Sequence, residues 1–220
     1  MFPKEGLRFL SDLKENNNKE WFQENKSTYE TFVKEPFKAI VTEIVQGLIP
    51  NSHLSPHVKI SEYIFRIYRD VRFTKNKQPF KTFLGAYLDH EGTQSDKAGY
   101  YIHIEPNNSF IACGLYQPSA EQLKKIRQEI VYESETWQNI LSNPQIVSNW
   151  GELHADIRYK KIPKDVEQYP ELALYTTLKQ FLLWKTIPDE VVTSKKYIEY
   201  CTTHFLSAIP FVNFLRNAIL

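Results

Sequence analysis

Leu7, Leu10 and Leu13 recur three residues apart among charged neighbours, a spacing that predicts a short amphipathic helix over residues 4–15. The run Asn16-Asn17-Asn18 ends it and supplies the N-cap of a second helix, which carries Trp21, Phe22, Tyr29, Phe32 and Val33. Pro36 is expected to interrupt that helix. A third, with Phe37, Ile40, Val41, Ile44 and Leu48, restarts beyond it, because proline is tolerated in a first helical turn. The period then falls from 3.6 to 2. Residues 65–73 alternate cleanly and residues 83–89 more weakly, while residues 100–105 and 110–116 flank Pro106-Asn107-Asn108-Ser109, a hairpin signal. Helical spacing returns over residues 119–141, capped by Ser119, with Leu123, Ile126, Ile130 and Trp137 on one side. A strand over residues 156–162, a helix from Pro170 through Phe181, and a last helical stretch from near Ser194, broken or restarted at Pro210, complete the chain.

Helices from both ends around a run of adjacent strands predict an α+β fold, with an antiparallel sheet on which those helices pack. No internal repeat, low-complexity tract or linker divides the pattern, so residues 1–220 are expected to form a single domain. The 220 residues can bury a core without disulfides, and the 14% aromatic content with only seven glycines argues for well-filled layers. Cys113 and Cys201 have no ligand-like spacing and suit a reducing compartment. The first residues lack the apolar run of a signal peptide, and no stretch reaches membrane-span length. A cytoplasmic protein with no membrane partner is the expectation.

Charge changes the picture locally. The net charge is +1, yet residues 59–81 hold seven basic side chains against two acidic ones, five net positive charges that leave the remainder of the chain at four net negative. Alternation sorts this run into two faces. Phe65, Ile67, Arg69, Val71 and Phe73 share one, a core face with an arginine in its middle. Arg66, Tyr68, Asp70 and Arg72 share the other, where Asp70 can lie between the two arginines. A basic turn with Lys75 and Lys77, held by Pro79, leads to Lys81. Arg forks with a Lys turn fit recognition of phosphate or carboxylate. The alternative is an internal salt-bridge lattice fed by glutamates of the surrounding helices.

In the hairpin, a turn at Asn107-Asn108 puts Tyr100, Ile102, Ile104, Ile111, Cys113 and Leu115 on one apolar face. The opposite face carries Tyr101, His103, Glu105, Phe110, Ala112, Gly114 and Tyr116. Tyr101 and His103 would face Gly114 and Ala112, whose small side chains leave space for a packed helix or a ligand. His103 and Glu105, two apart, can share a proton. No third metal ligand emerges from spacing, so no metal residue is assigned, and no cofactor motif is present. Trp137, Trp150 and Trp184 read as core or lid residues.

The run Phe65-Arg66-Ile67-Tyr68-Arg69-Asp70-Val71-Arg72-Phe73-Thr74-Lys75-Asn76-Lys77-Gln78-Pro79-Phe80-Lys81 resembles the signature of a widespread bacterial family catalogued as domain of unknown function 2461. Asn17-Asn18-Lys19-Glu20-Trp21-Phe22, Gly99-Tyr100-Tyr101-Ile102-His103-Ile104-Glu105-Pro106 and Gly114-Leu115-Tyr116-Gln117-Pro118 resemble it in the same order. The family pattern usually has Tyr where Phe80 stands and His where Tyr169 stands. The resemblance implies a conserved bacterial protein without an established activity and carries over no catalytic residue.

The residues therefore point to a binding or catalytic module for a phosphate-bearing or otherwise anionic ligand, such as a small molecule or nucleotide. Arg66, Arg69, Arg72, Lys75, Lys77, Lys81 and Tyr101 would bind, and His103 and Glu105 would transfer protons. Nucleic acid stays open as a partner, although the net charge does not indicate it. A non-catalytic scaffold is the alternative, and a metal-dependent phosphodiesterase using Asp70, His103 and Glu105 a weaker third.

Overall fold

A computed structural model describes residues 1–89 and 91–220; His90, expected in a polar loop, lies outside the described residues. Four strands, β1 (Leu84–Leu88), β2 (Gly99–Ile104), β3 (Ser109–Leu115) and β4 (Phe181–Ile187), form an antiparallel sheet in the order β1-β2-β3-β4. Helices drawn from both ends of the chain accompany it, so the fold is α+β. No helix among the described residues is long and apolar enough to cross a membrane. Contacts divide the chain into two compact units. The first comprises Met1–Gln94, Tyr101–Ile111 and Thr186–Thr203, the second Ser95–Tyr100, Ala112–Lys185 and His204–Leu220.

The first unit opens with α1 (Lys4–Glu15), which buries Leu7, Leu10 and Leu13 as its spacing requires. Asn18 caps α2 (Lys19–Glu24) by accepting the Trp21 N–H at 2.9 Å. Pro36 does not interrupt the helical path. Helix α3 (Lys26–Tyr29) widens into a π turn over Glu30–Lys34 and continues as α4 (Glu35–Leu48), with Pro36 in its first turn. Pro36 has no N–H to give the Phe32 carbonyl four residues back. The wider turn accommodates this, and Gly6 of α1, lacking a Cβ, packs directly against that carbonyl. Short α5 (Ile60–Tyr63), α10 (Asp189–Val192) and the start of α11 (Tyr197–Ser207) complete the unit.

In the second unit, Ser119 and Gln122 form a reciprocal capping box at the start of α6 (Ala120–Tyr132). The helix expected to run to residue 141 is divided there, and α7 (Ser134–Leu141) carries Trp137 into a cluster with Phe181, Phe211 and Phe214. Helix α8 (Pro144–Trp150) comes next, and the Trp150 indole donates to the His204 carbonyl at 3.0 Å. Two expectations are corrected here. Residues 156–162 form no strand; isolated bridges, His154 to Leu182 and Arg158 to Leu178, and scattered bonds such as Tyr159 N–H to the Thr177 carbonyl join that part of the chain to β4 and the residues before it. The helix expected from Pro170 to Phe181 is a 3-10 turn and the four-residue α9 (Ala173–Thr176), after which β4 begins at Phe181. Its opening Phe-Leu-Leu-Trp is a short apolar run whose periodicity does not separate buried helix from buried strand. Helix α12 (Ile209–Ile219) carries Pro210 in its first turn, as expected.

The hairpin faces hold. Tyr100, Ile102, Ile104, Ile111, Cys113 and Leu115 are all buried. The turn is centred on Pro106 and Asn107, one residue earlier than expected, with the Asn108 N–H on the Glu105 carbonyl at 3.0 Å and Asn107 at φ +60°. Moving a turn by one whole residue shifts the partner of every position by two. Parity, and with it each face, survives.

Candidate functional site

All the residues assigned to binding or proton transfer lie in the first unit. The basic segment was expected to be a strand over residues 65–73; it is instead an extended stretch paired irregularly with residues 79–86. Bridges join Ile64 to Ala86 and Tyr68 to Phe80, and backbone bonds run from Phe65 N–H to Gly85, from Lys81 N–H to Ile67 and from Arg69 N–H to Pro79. Between the first pair of bonds one side advances two residues and the other four. The surplus is a bulge over Thr82, Phe83 and Leu84, a device that re-aims side chains beside a site. Beyond it Pro79 accepts but cannot donate, so the ladder ends. The expected core face runs through Ile67, which is buried, to half-buried Arg69 and Val71, but Phe73 leaves it and is 94% exposed.

The bulge and the basic turn enclose an open cleft of about 400 Å³, lined by Arg69, Asp70, Asn76, Gln78, Phe80, Lys81, Thr82 and Phe83. Arg69 donates from Nη1 to the Gln78 carbonyl at 3.3 Å. Lys81 places its ammonium 5.0 Å from the Phe65 ring centre and 5.9 Å from that of Phe83. Burial, reinforced by the positive charge of Arg66, lowers the pKa of Lys81 below the usual lysine value. Among the described residues, neither Arg66, Arg69 nor Lys81 forms an ion pair with a carboxylate. Arg72 differs. Its Nε and Nη2 hold the two Asp70 oxygens at 3.0 and 2.7 Å, which depresses the Asp70 pKa. Lys77 donates to the Val71 carbonyl at 2.9 Å, and Lys75 is exposed at the turn.

Three side chains on β2 and its end point the same way. Tyr101 Oη lies 3.1 Å from His103 Nδ1, and His103 Nε2 lies 3.3 Å from Glu105 Oε2. Asn108 fixes that carboxylate from the turn by donating Nδ2 at 2.7 Å. The His103 ring is covered on both faces, stacked 4.5 Å from Phe83 and 4.5 Å from Phe110. Burial lowers its pKa, and Glu105 opposes this only in part. A neutral imidazole then donates Nε2–H to Glu105 and accepts the Tyr101 hydroxyl proton at Nδ1. Both ring nitrogens of His103 are thus engaged, Nδ1 by Tyr101 and Nε2 by Glu105.

The model of the family described as "Conserved hypothetical protein (DUF2461)" matches residues 5–214. The chain belongs to that family. Neither the curated proteins nor the solved structures give a match to it. The segments by which the chain resembles the DUF2461 signature are physically linked. The Asn17 amide bonds both backbone groups of Phe80, and the Phe22 ring stacks on Phe80 at 4.1 Å.

In this DUF2461 protein the cleft gathers Arg69 and Lys81, with Arg66 near enough to act on Lys81 through its charge, whereas Arg72, Lys75 and Lys77 do not line it. The Tyr101–His103–Glu105 row adjoins the cleft wall through Phe83, which lines the cleft and stacks on His103. The space expected above Gly114 is already filled: a Cβ there would meet the Phe181 carbonyl and the Phe211 ring. Asp70, His103 and Glu105 do not assemble into a metal site, and no group of three ligating side chains is gathered among the described residues. Phe65, Phe83, Asn108 and Gln78 complete the site and went unassigned in the sequence. Each had a structural signal there without a functional one: Phe65 on the expected core face, Gln78 in the basic turn, Asn108 in the hairpin turn, and Phe83 opening a weakly alternating run that the bulge offsets.

Proposed function

We propose that the cleft binds a phosphate-bearing or otherwise anionic ligand, held by Arg69 and Lys81 with Arg66 adding charge from nearby. The observation that carries this reading is that two cations, Arg69 and Lys81, line one cleft with Arg66 close enough to act on Lys81, and none of the three has a carboxylate partner among the described residues. A guanidinium fork and a partly desolvated ammonium suit a phosphate, and anion binding would relieve the mutual repulsion of Arg66 and Lys81. Asn76, Gln78 and Thr82 add uncharged polar groups for ligand oxygens. The row on β2 gives such a site acid–base capacity through Tyr101, with His103 and Glu105 as proton carriers behind it. Two free, buried cysteines fit the reducing cytoplasm that this reading takes as its location.

Isothermal titration of the protein with pyrophosphate, nucleotides and sugar phosphates tests the binding. At least one should bind, and Arg69→Ala and Lys81→Ala should each weaken it tenfold or more while the protein stays folded. Absence of binding by every probe, or equal affinity in both variants, removes the reading. Screening phosphomonoesters and phosphodiesters for product release, wild type against Tyr101→Phe, tests the proton-transfer role.

A further inference from the structure

Residues 70–78 form a loop that is fixed by its own polar groups. The Thr74 hydroxyl accepts the Asn76 N–H, the Asn76 side chain accepts the Gln78 N–H, and Asn76 Nδ2 donates to Gln78 Oε1 at 3.3 Å. Lys77 bonds the Val71 carbonyl across the loop, and Asp70 holds Arg72. This fastening sets Phe73 outward. Its side chain is 94% exposed although Tyr68 and Phe80 of the same segment form an aromatic cluster with Phe22 of α2. The Arg72 guanidinium carbon lies 5.6 Å from the Phe73 ring centre, and Lys75 and Lys77 come after it on the exposed loop. A single exposed aromatic is ordinary on any surface. One presented on a loop with cations on both sides, and continuous with a cationic cleft through Asn76, is a stacking platform beside a phosphate track.

We infer that this loop and cleft bind single-stranded nucleic acid, with Phe73 stacking on an unpaired base while Arg69 and Lys81 take a backbone phosphate; the inference rests on the reading of the cleft as a phosphate site. Phe73 is four residues from Arg69, at most about 15 Å along the chain, so one strand a few nucleotides long reaches both. The five net positive charges of residues 59–81 supply charge complementarity that the near-neutral whole chain conceals. Single strands are favoured over duplex because a lone ring needs an open base face, and residues 64–81 form no helix or regular strand that could enter a groove. The polar cleft lining of Asn76, Gln78 and Thr82 suits sugar and phosphate oxygens better than lipid chains.

Fluorescence anisotropy with labelled 12-nucleotide dT and rU oligonucleotides tests this, alongside a 12-base-pair duplex, inorganic pyrophosphate and vesicles of phosphatidylglycerol. The single strands should bind more tightly than pyrophosphate and than the duplex, with affinity falling as salt rises. Phe73→Ala should weaken the oligonucleotides about tenfold and leave pyrophosphate binding unchanged. Phe73→Trp should restore the oligonucleotide affinity. Arg69→Ala should weaken both ligands. If pyrophosphate binds through Arg69 but Phe73→Ala leaves the oligonucleotide unaffected, the inference fails and the phosphate site stands. If neither ligand binds, both fail. Preference for the duplex, or for the vesicles over every oligonucleotide, overturns the inference as well.

Discussion

Asn17 and Phe80, 63 residues apart in the chain, are joined by two hydrogen bonds: Asn17 Oδ1 accepts the Phe80 N–H at 3.0 Å, and Asn17 Nδ2 donates to the Phe80 carbonyl at 3.1 Å. The bonds flanking the Tyr68–Phe80 bridge come from Arg69 and Lys81, so Phe80 itself turns its backbone groups away from Tyr68. A single side-chain amide, with one donor and one acceptor aimed alike, takes the place of the next strand. It ties the loop between α1 and α2 to the wall of the cleft.

Asn17→Ala should therefore cost about 2 kcal/mol, because both Phe80 groups lose their partner in a half-buried place. The Tm should fall by roughly 4–8 °C. Asn16→Ala, which removes only an exposed bond to the Asp12 carbonyl, serves as control and should move Tm by no more than a degree or two. Equal shifts in the two variants, read by calorimetry, would dissolve the argument.

Gly114 and Gly151 both have positive φ, +120° and +76°, but only the first is enclosed. A Cβ on Gly114 runs into the Phe181 carbonyl and comes within 3.0 Å of the Phe211 ring, whereas one on Gly151 meets nothing within 4 Å. Gly114→Ala should cost about 3 kcal/mol or more, from backbone strain plus overpacking. Gly151→Ala carries the strain alone and should cost about 1 kcal/mol. Urea unfolding of the pair decides, and similar midpoints would mean that the close approach to Phe181 carries no penalty.

Residue spacing made the faces of this fold legible and left its irregularities hidden. The α1 stripe and both hairpin faces arise from periods of 3.6 and 2 that burial enforces. Pro36 misled because the cost of its missing N–H was absorbed by a π turn rather than by a break. The helix expected from Pro170 overran into Phe181, the first residue of β4, because Phe181-Leu182-Leu183 is a short apolar run buried whichever way it is wound. At the site, Arg69 and Lys81 were visible as charges, but the bulge that brings Lys81 and Phe83 to the cleft depends on which backbone bonds form across the segment. Local sequence does not encode that choice. The row from Tyr101 to Glu105 was visible by parity alone; the stacking of His103 between Phe83 and Phe110 needed the third dimension.

That stacking makes His103 a source of acid sensitivity. Burial lowers its folded pKa despite Glu105, so the unfolded chain binds the proton more readily. Stability from this group is complete above the unfolded value of about 6.5 and declines as pH falls through it toward the folded value. Urea midpoints of the wild type should drop between pH 7.5 and pH 5. In His103→Gln the drop should be smaller, the difference between the two proteins isolating His103 from the other histidines. A pH dependence unchanged by the substitution would show that His103 titrates alike in both states.

Lys81 gives a sign that can be read in a binding experiment. In the free protein its pKa is lowered by burial and, secondarily, by the charge of Arg66. A phosphate in the cleft supplies the missing negative charge and raises that pKa, so over the window between the free and bound values the complex holds more protons than its components. Binding of a sugar phosphate, whose phosphate group is already fully ionised in that alkaline window, should take up protons. The observed enthalpy should then differ between buffers of high and low ionisation enthalpy by an amount proportional to that uptake. Lys81→Arg keeps the positive charge but stays protonated throughout, since a guanidinium does not titrate in this range. It should bind with an enthalpy much less dependent on buffer, whereas Arg72→Ala, whose guanidinium is already engaged by Asp70, should retain the wild-type uptake. Undiminished proton uptake in Lys81→Arg would assign the linkage to another group and place the anion away from Lys81.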